Sequence, residues 1–376
     1  MRMPRILAPI LLAALVASAC GQAAPPSDIY FGVSGPFTGD NAEYGQIWKK
    51  AIDLGVDEIN AKGGIKGRKV QVLYEDSQSD PKQSVTVAEK FVNDKRVVAE
   101  IGDFSSPASM AASPIYQRAG LVQYAFTSSH PDFTKGGDFM FTTAPSQKDD
   151  APFLANMAVQ DLGKKRLALL HLNTDWGKTT ADLFEARAKE LGAEVLYRDT
   201  YLPADKDFKT ILTKVRDANP DALILESYYT DAAVVTQQAR AQGITVPILA
   251  NGAVYSPQFL QLGGSAVDGV YTASPWFPDT PRPEVQSFVS AYKGKYAGES
   301  PNWFAADAYD TVKILATVID QVGTDRKAIR DGLAKLKDYP SVVYGTLTFS
   351  DDRRIAALSE NKLVVQGGQF VLWQPK

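Results

Sequence analysis

The chain has 376 residues, 22% of them charged and 45% apolar, with a formal net charge of −3. That is the balance of a folded globular protein with room for two domains. The lack of a basic excess argues against a nucleic-acid partner, and a single cysteine excludes internal disulfides and cysteine-based metal clusters.

The first segment bears on the compartment. Arg2 and Arg5 precede an apolar run from Ile6 to Ala19 that has no acidic residue. The run is shorter than the about 20 apolar residues of a spanning helix, and it reads as a secretory signal over residues 1–19. Its removal takes the net charge to −5. The run ends Leu15-Val16-Ala17-Ser18-Ala19-Cys20, so the only cysteine stands where bacterial lipoproteins carry their lipid. Ala17 departs from the Leu or Val preferred there, and Ala17-Ser18-Ala19 also fits ordinary small-x-small cleavage. The expectation is lipid attachment at Cys20, with a soluble periplasmic protein as the alternative. A lipid would tether the protein without spanning the membrane. Residues 20–27 form a short leader containing Pro25-Pro26.

Strand-like and helix-like runs then alternate. Strands are expected at Ile29–Val33, Lys69–Tyr74, Val97–Ile101 and Leu121–Tyr124, with helices at about Ala42–Ala61, Pro81–Asn93 and Ser106–Arg118. This βαβαβαβ order is the signature of a doubly wound parallel sheet. A linker around Phe141–Gln147 leads to a second series. Its helices are Ala151–Leu162, Thr179–Leu191, Phe208–Ala218 and Ala232–Gln242, and its strands are Arg166–His171, Glu194–Tyr197, Ala222–Leu225 and Pro247–Leu249. Helices at Glu284–Tyr296, Phe304–Val322 and Lys327–Leu336 follow, then strands at Thr346–Phe349, Lys362–Gln366 and Phe370–Trp373. These last strands are too few for a third domain. The expected class is α/β, with two doubly wound parallel-sheet lobes joined by several crossings that form a hinge. Residues 28–145 with about 273–344 make lobe one, and residues 146–272 with about 345–376 make lobe two.

The order of certain short segments resembles the Leu/Ile/Val-binding proteins. They are Ser34-Gly35-Pro36, Ala42-Glu43-Tyr44-Gly45, Glu58 through Gly67, Asp76 through Pro81, Ile101 through Ser106, and Gln238 through Gly243. The resemblance covers nearly all of the chain after the leader. It implies a type I periplasmic binding fold, a small-molecule ligand such as an amino acid, and an ABC permease as partner. A monomer is expected, with no metal or organic cofactor and no nucleic acid.

An open α/β sheet binds ligands beyond the carboxyl ends of its strands, where helix N-termini offer unpaired N–H groups. Gly102 through Ser109 and Ala125 through Ser129 sit at such junctions in lobe one. Their serines could equally serve only as helix caps. By resemblance, Ser106 and Ser129 hold a ligand carboxylate and Thr127 offers a main-chain contact. Trp176 and Tyr228 close over the ligand from lobe two, and Tyr44 is an aromatic wall on lobe one. Such rings exclude water and can face an ammonium; the structural alternative is core packing. Trp176, between polar residues and Gly177, is expected at a loop tip.

One departure concerns the ligand's amino group. The family holds it with a lobe-two carboxylate, and that position is Gly252 here. An unpaired buried ammonium is costly. Either Asp103, Glu226 or Asp231 substitutes, or the ligand lacks an α-ammonium; Glu226 and Asp231 could also be a strand end and a helix cap. Gly252→Glu is expected to raise affinity for leucine-like ligands. Against an enzyme, there is no nucleophile elbow, P-loop or metal-ligand cluster, and His130 and His171 are the only histidines. His171 reads as structural. A sensor presenting its ligand to a receptor would share the fold.

Overall fold

The structure is a computed structural model, and it describes residues 27–203, 205–356 and 359–375. The secretory segment, Cys20 and most of the leader lie outside these.

The first sheet grows from strands that are buried on both faces. β1 (Ile29–Gly35) and β3 (Val97–Ile101) are almost wholly buried, as parallel strands covered by helices on both sides must be. With β2 (Val70–Asp76), β4 (Val122–Tyr124) and β5 (Met140–Phe141) they form an all-parallel sheet in the order β2-β1-β3-β4-β5. β5 was not legible in the sequence, because two residues carry no period. Helix α1 (Ala42–Ala61) buries Tyr44, Trp48, Ile52, Gly55 and Ile59, a stripe three or four residues apart. α2 (Pro81–Asn93) starts where Asp80 accepts from the N–H groups of Lys82 and Gln83, with Pro81 in the first turn. α3 (Ser106–Ala119) starts after the N-cap Ser105. Between β3 and α3, Gly102 has φ 130°, and a Cβ there would lie 2.0 Å from the carbonyl oxygen of Ser34. Only glycine lets the chain leave β3 this way.

The second sheet contains β6 (Arg166–Leu172), β7 (Glu194–Tyr201), β8 (Ala222–Glu226), β9 (Ile248–Ala250) and β10 (Val270–Ser274), all parallel. Its helices are α4 (Gln147–Asn156), α5 (Asp175–Glu190), α6 (Lys209–Asp217), α7 (Tyr229–Ala241) and α8 (Pro257–Gly263). α5 begins four residues earlier than its apolar period suggested, because Thr174 caps it.

The chain returns to the first sheet with α9 (Pro283–Lys295), α10 (Trp303–Val322) and α11 (Arg326–Ala334); α10 packs along α1 and α11 against β3 and β4. A hairpin of β11 (Tyr339–Ser341) and β12 (Gly345–Leu347) follows. Finally β13 (Asn361–Gln366) and β14 (Gln369–Leu372) add antiparallel strands to the second sheet, giving the order β14-β13-β10-β9-β8-β6-β7.

The architecture is therefore α/β with two sheet-based lobes, and the chain passes between them three times. The third passage needs a correction. Residues from 345 were expected in lobe two, but Phe349 packs edge-on against Tyr124 and Phe141 of the first sheet. Arg353 also donates to the carbonyls of Met140 and Thr134. The chain joins the second sheet only at Asn361. Apolar burial and hydrogen bonding thus hold the passage to lobe one.

Two acids on α10 tie the crossings down. Thr143 in the first crossing donates to Asp307 at 2.9 and 3.0 Å. Asp310 accepts from Ser341 Oγ at 2.6 Å and from the N–H groups of Val342 and Val343 at 3.0 Å. The Tyr344 hydroxyl returns to the Thr143 carbonyl at 2.6 Å.

Candidate functional site

The carboxyl ends of both sheets face one gap, and a pocket fills it. Its empty space is about 810 Å³, part of it open to solvent. From lobe one come Phe104, Ser105 and Ser106 after β3, and Thr127 and Ser129 after β4. From lobe two come Trp176, Glu226, Tyr228, Asn251 and Gly252, each at the carboxyl end of its strand. Trp303 and Phe304 at the start of α10 close one side.

The lobe-one wall is a set of hydroxyls. Ser106 Oγ accepts from the His130 N–H at 3.2 Å, so its own O–H proton points elsewhere. Ser129 Oγ accepts from Trp176 Nε1 at 2.9 Å, which likewise leaves a donor free. Thr127 Oγ1 donates to the Phe104 carbonyl at 2.9 Å and braces the loop after β3. Ser106 opens the first turn of α3, where backbone N–H groups are unpaired and the helix dipole is positive. The wall can take a carboxylate.

The lobe-two wall is acidic. Glu226 ends β8 fully buried. Its Oε2 accepts from Asn251 Nδ2 at 3.0 Å, and its Oε1 has no partner among the described residues. Burial pushes the Glu226 carboxyl up to about 8, and nearby Asp150 adds to this. Asp150 on α4 and Glu360 before β13 also line the pocket. Burial holds both well above the usual carboxylate range, and the Asp150 charge pushes Glu360 further up. Two acids this close cannot both ionise cheaply.

Of the expected residues, Ser106, Thr127, Ser129, Trp176, Tyr228 and Gly252 all line this pocket, and of the three acids proposed for an ammonium only Glu226 does. Trp176 is not at a loop tip. It lies in the first turn of α5, stacked on Tyr228 with centroids 5.1 Å apart. Tyr44 is not a pocket wall either. It is fully buried behind Phe104, stacked at 3.9 Å, and its hydroxyl donates across the gap to the Ala253 carbonyl at 2.6 Å. Phe104 takes the place on the wall.

Asp103 is spent inside lobe one. It accepts from Ser79 at 2.9 Å, Ser84 at 2.6 Å and the Phe104 N–H at 2.6 Å. Asp231 sits in the first turn of α7 and is not the cap, since Tyr228 holds that position. It lies away from the pocket near Lys206. Gly252 has no room for a side chain, because a Cβ would stand 2.9 Å from the Ala273 carbonyl oxygen. The expected gain from Gly252→Glu is therefore withdrawn. His171 is structural, with Nδ1 on the Leu172 carbonyl at 2.9 Å.

Asp150, Glu360, Gln147 and Asn251 were missed. Asp150 was one residue outside the expected helix, and an acidic first turn after the linker was the available signal. Glu360 has no local signal, since the third crossing alone brings it here.

Further bonds join the lobes around the pocket. Glu43 Oε1 accepts from the Gln258 N–H at 2.9 Å, and its Oε2 meets Ser256 Oγ. Tyr229 and Thr230 donate to the Asp40 carbonyl at 2.9 and 2.8 Å. His130 Nε2 reaches Thr179 Oγ1 at 3.2 Å. Among the described residues no helix is long and apolar enough to cross a membrane, and no acid, histidine or cysteine cluster suits a metal.

Residues 28–359 match the periplasmic binding protein family. The Leu/Ile/Val-binding protein homolog 3 of Brucella melitensis is 26% identical over 98% of both chains. Homolog 2 of Brucella abortus is 30% identical over 80% of each. The branched-chain amino acid transporter substrate binding protein LivJ of Streptococcus pneumoniae, solved with isoleucine, superposes with a TM-score of 0.86 at 28% identity, covering 91% of this chain and 97% of that one. These relatives are binding proteins, and this chain is a binder and not an enzyme. By fold and sequence together it belongs to the periplasmic binding protein family, as a type I member of the Leu/Ile/Val-binding-protein kind.

Proposed function

We propose that this protein is the extracytoplasmic substrate-binding component of an ABC importer for an amino acid or a closely related small molecule. One observation carries the proposal: a single pocket sets the hydroxyls of Ser106 and Ser129 on one lobe opposite the buried carboxyl of Glu226 on the other. An α-amino acid has the matching ends, a carboxylate and an ammonium. The names of the relatives support the amino-acid class and the importer.

Ligand meets lobe one first, through Ser106, Thr127 and Ser129. Trp176, Tyr228 and Glu226 then close on it from lobe two. Closure gains ligand contacts that the open form lacks, so ligand shifts the open–closed equilibrium. Tyr44, Glu43 and His130 complete the closed form from outside the pocket. Gly252 takes part through its backbone alone. The protein works as a monomer, tethered to the membrane through lipid on Cys20, and delivers the closed complex to a permease.

Isothermal titration of the purified protein with the common amino acids tests the proposal. Saturable one-to-one binding with compaction in solution scattering is expected. No binding by any of them, or binding without compaction, would overturn it. Mass spectrometry of the membrane fraction, looking for acylated Cys20, checks the anchor.

A further inference from the structure

The pocket is more acidic than an ordinary α-amino acid needs. Among the described residues three carboxyl groups line it, those of Asp150, Glu226 and Glu360, and no lysine, arginine or histidine does. One α-ammonium can answer one of them. The others would be left in an apolar, aromatic gap without a partner, which is a costly arrangement.

The unmet hydrogen-bonding capacity points the same way. Glu226 Oε1 and Gln147 Oε1 are buried oxygens without partners among the described residues, on side chains 0% and 1% exposed, and Glu226 Oε1 becomes purely an acceptor once a cation draws the carboxyl into its ionised form. Asp150 Oδ1 is a third. The Gln147 amide cannot be turned to help. Its nitrogen donates to the Trp176 carbonyl at 2.7 Å, an atom that only accepts. Arg354 shares a neighbouring cavity with Glu360 and its charge favours the ionised Asp150, but among the described residues it makes no ion pair or hydrogen bond with either acid, and its Nη2 donates to the His130 carbonyl. Buried acceptors in this number ask for a ligand rich in N–H donors.

The acids stand in two places. Glu226 is at the end of β8 beside Asn251, while Asp150 on α4 and Glu360 in the third crossing line another part of the pocket and raise each other's protonation. On α4, Asp150 shares a face with Leu154 four residues on, and Ala151, Leu154, Ala273 and Pro275 supply an apolar stretch of wall. That suits a methylene stem with a charged end.

We infer that the ligand is a basic amino acid, a diamino or guanidino carboxylate whose side-chain cation is held by Asp150 and Glu360 while Glu226 takes the α-ammonium. This rests on the amino-acid binding proposed above and narrows it.

The test is titration calorimetry at pH 8 with two matched pairs, ornithine against norvaline and lysine against norleucine, with arginine and leucine added. Each pair differs only by the terminal ammonium. At least one basic member is expected to bind about tenfold or more tighter than its aliphatic match, since a site built for a donor rejects the analogue lacking it. Asp150→Asn and Glu360→Gln, checked for folding by circular dichroism, should each shrink that ratio several-fold. Equal or tighter binding of the aliphatic members would overturn the inference and leave the amino-acid function standing. Binding of none of the six would overturn the inference, and the wider amino-acid panel then decides the function itself. A basic ligand whose preference survives both variants would overturn the role of the acid pair.

Discussion

Trp176 Nε1 donates to Ser129 Oγ at 2.9 Å, one lobe to the other, at the lip of the pocket. The bond orients two residues that each line the pocket, and under the closure proposed above it forms only when the lobes shut. Trp176→Phe keeps the ring and its stack on Tyr228 but removes the donor. A hydrogen bond of this kind contributes about 1 kcal/mol net, so ligand affinity should fall about two- to tenfold. Melting temperature without ligand should change little. Titration calorimetry on the two proteins measures the difference.

Glu226 makes stability depend on pH. Its carboxyl stays protonated up to about 8 in the folded chain because burial disfavours the charge. In the unfolded chain it ionises at an ordinary carboxylate value. Between pH 6.5 and 8 the folded state therefore holds one more proton than the unfolded one, and stability falls as pH rises, levelling above 8. The slope from this single group is about 1.4 kcal/mol per pH unit at most. Glu226→Gln should remove that share of the slope. Urea unfolding of both proteins at several pH values in this range is the measurement. A bound cation favours the ionised carboxylate, so ligand affinity should rise over the same range.

Placing an acid at position 252 should not rescue leucine binding. Gly252→Glu must push its Cβ away from the Ala273 carbonyl oxygen, which is backbone and cannot swing aside. Overpacking of this kind costs about 1–3 kcal/mol. The expected outcome is a lower melting temperature with no gain in leucine affinity, read by thermal shift and calorimetry.

Thr143→Val removes the hydroxyl that serves Asp307 at the first crossing. Asp307 is fully buried, and its carboxyl would be left without that partner. The loss should be about 1–3 kcal/mol of stability. Ligand affinity should move less than stability does, because Thr143 does not line the pocket. Chemical unfolding alongside titration separates the two effects.

Glu43→Gln weakens a clasp outside the pocket, where the carboxylate meets Ser256 and the Gln258 N–H. The effect should appear as a shift toward the open form, with a larger radius of gyration at subsaturating ligand. Affinity should drop by a factor of a few, since charged hydrogen bonds contribute about 1.5–3 kcal/mol before solvent screening is allowed for. Solution scattering across a ligand titration reads this directly.

The sequence by itself determined the α/β class, the two sheet-based lobes and the junction loops after β3 and β4. These follow from local rules: apolar period, helix caps such as Asp80, and glycines such as Gly102 at strand ends, where the turn can require a backbone geometry that only glycine accepts. It placed Ser106, Ser129 and Tyr228 at the ends of elements, and the structure brings those ends to one gap. What needed the tertiary structure was everything set by the meeting of distant segments. Tyr44 was displaced by Phe104 because two rings compete for one wall, and no periodicity ranks them. Asp103 and Asp231 were indistinguishable from Glu226 in the sequence. The difference is whether neighbouring hydroxyls or helix packing already occupy the carboxyl. Asp150 and Glu360 are 210 residues apart in the chain and meet only through the crossings. Their nearness, and with it the acidity of the pocket, is a property of that meeting and of neither segment alone.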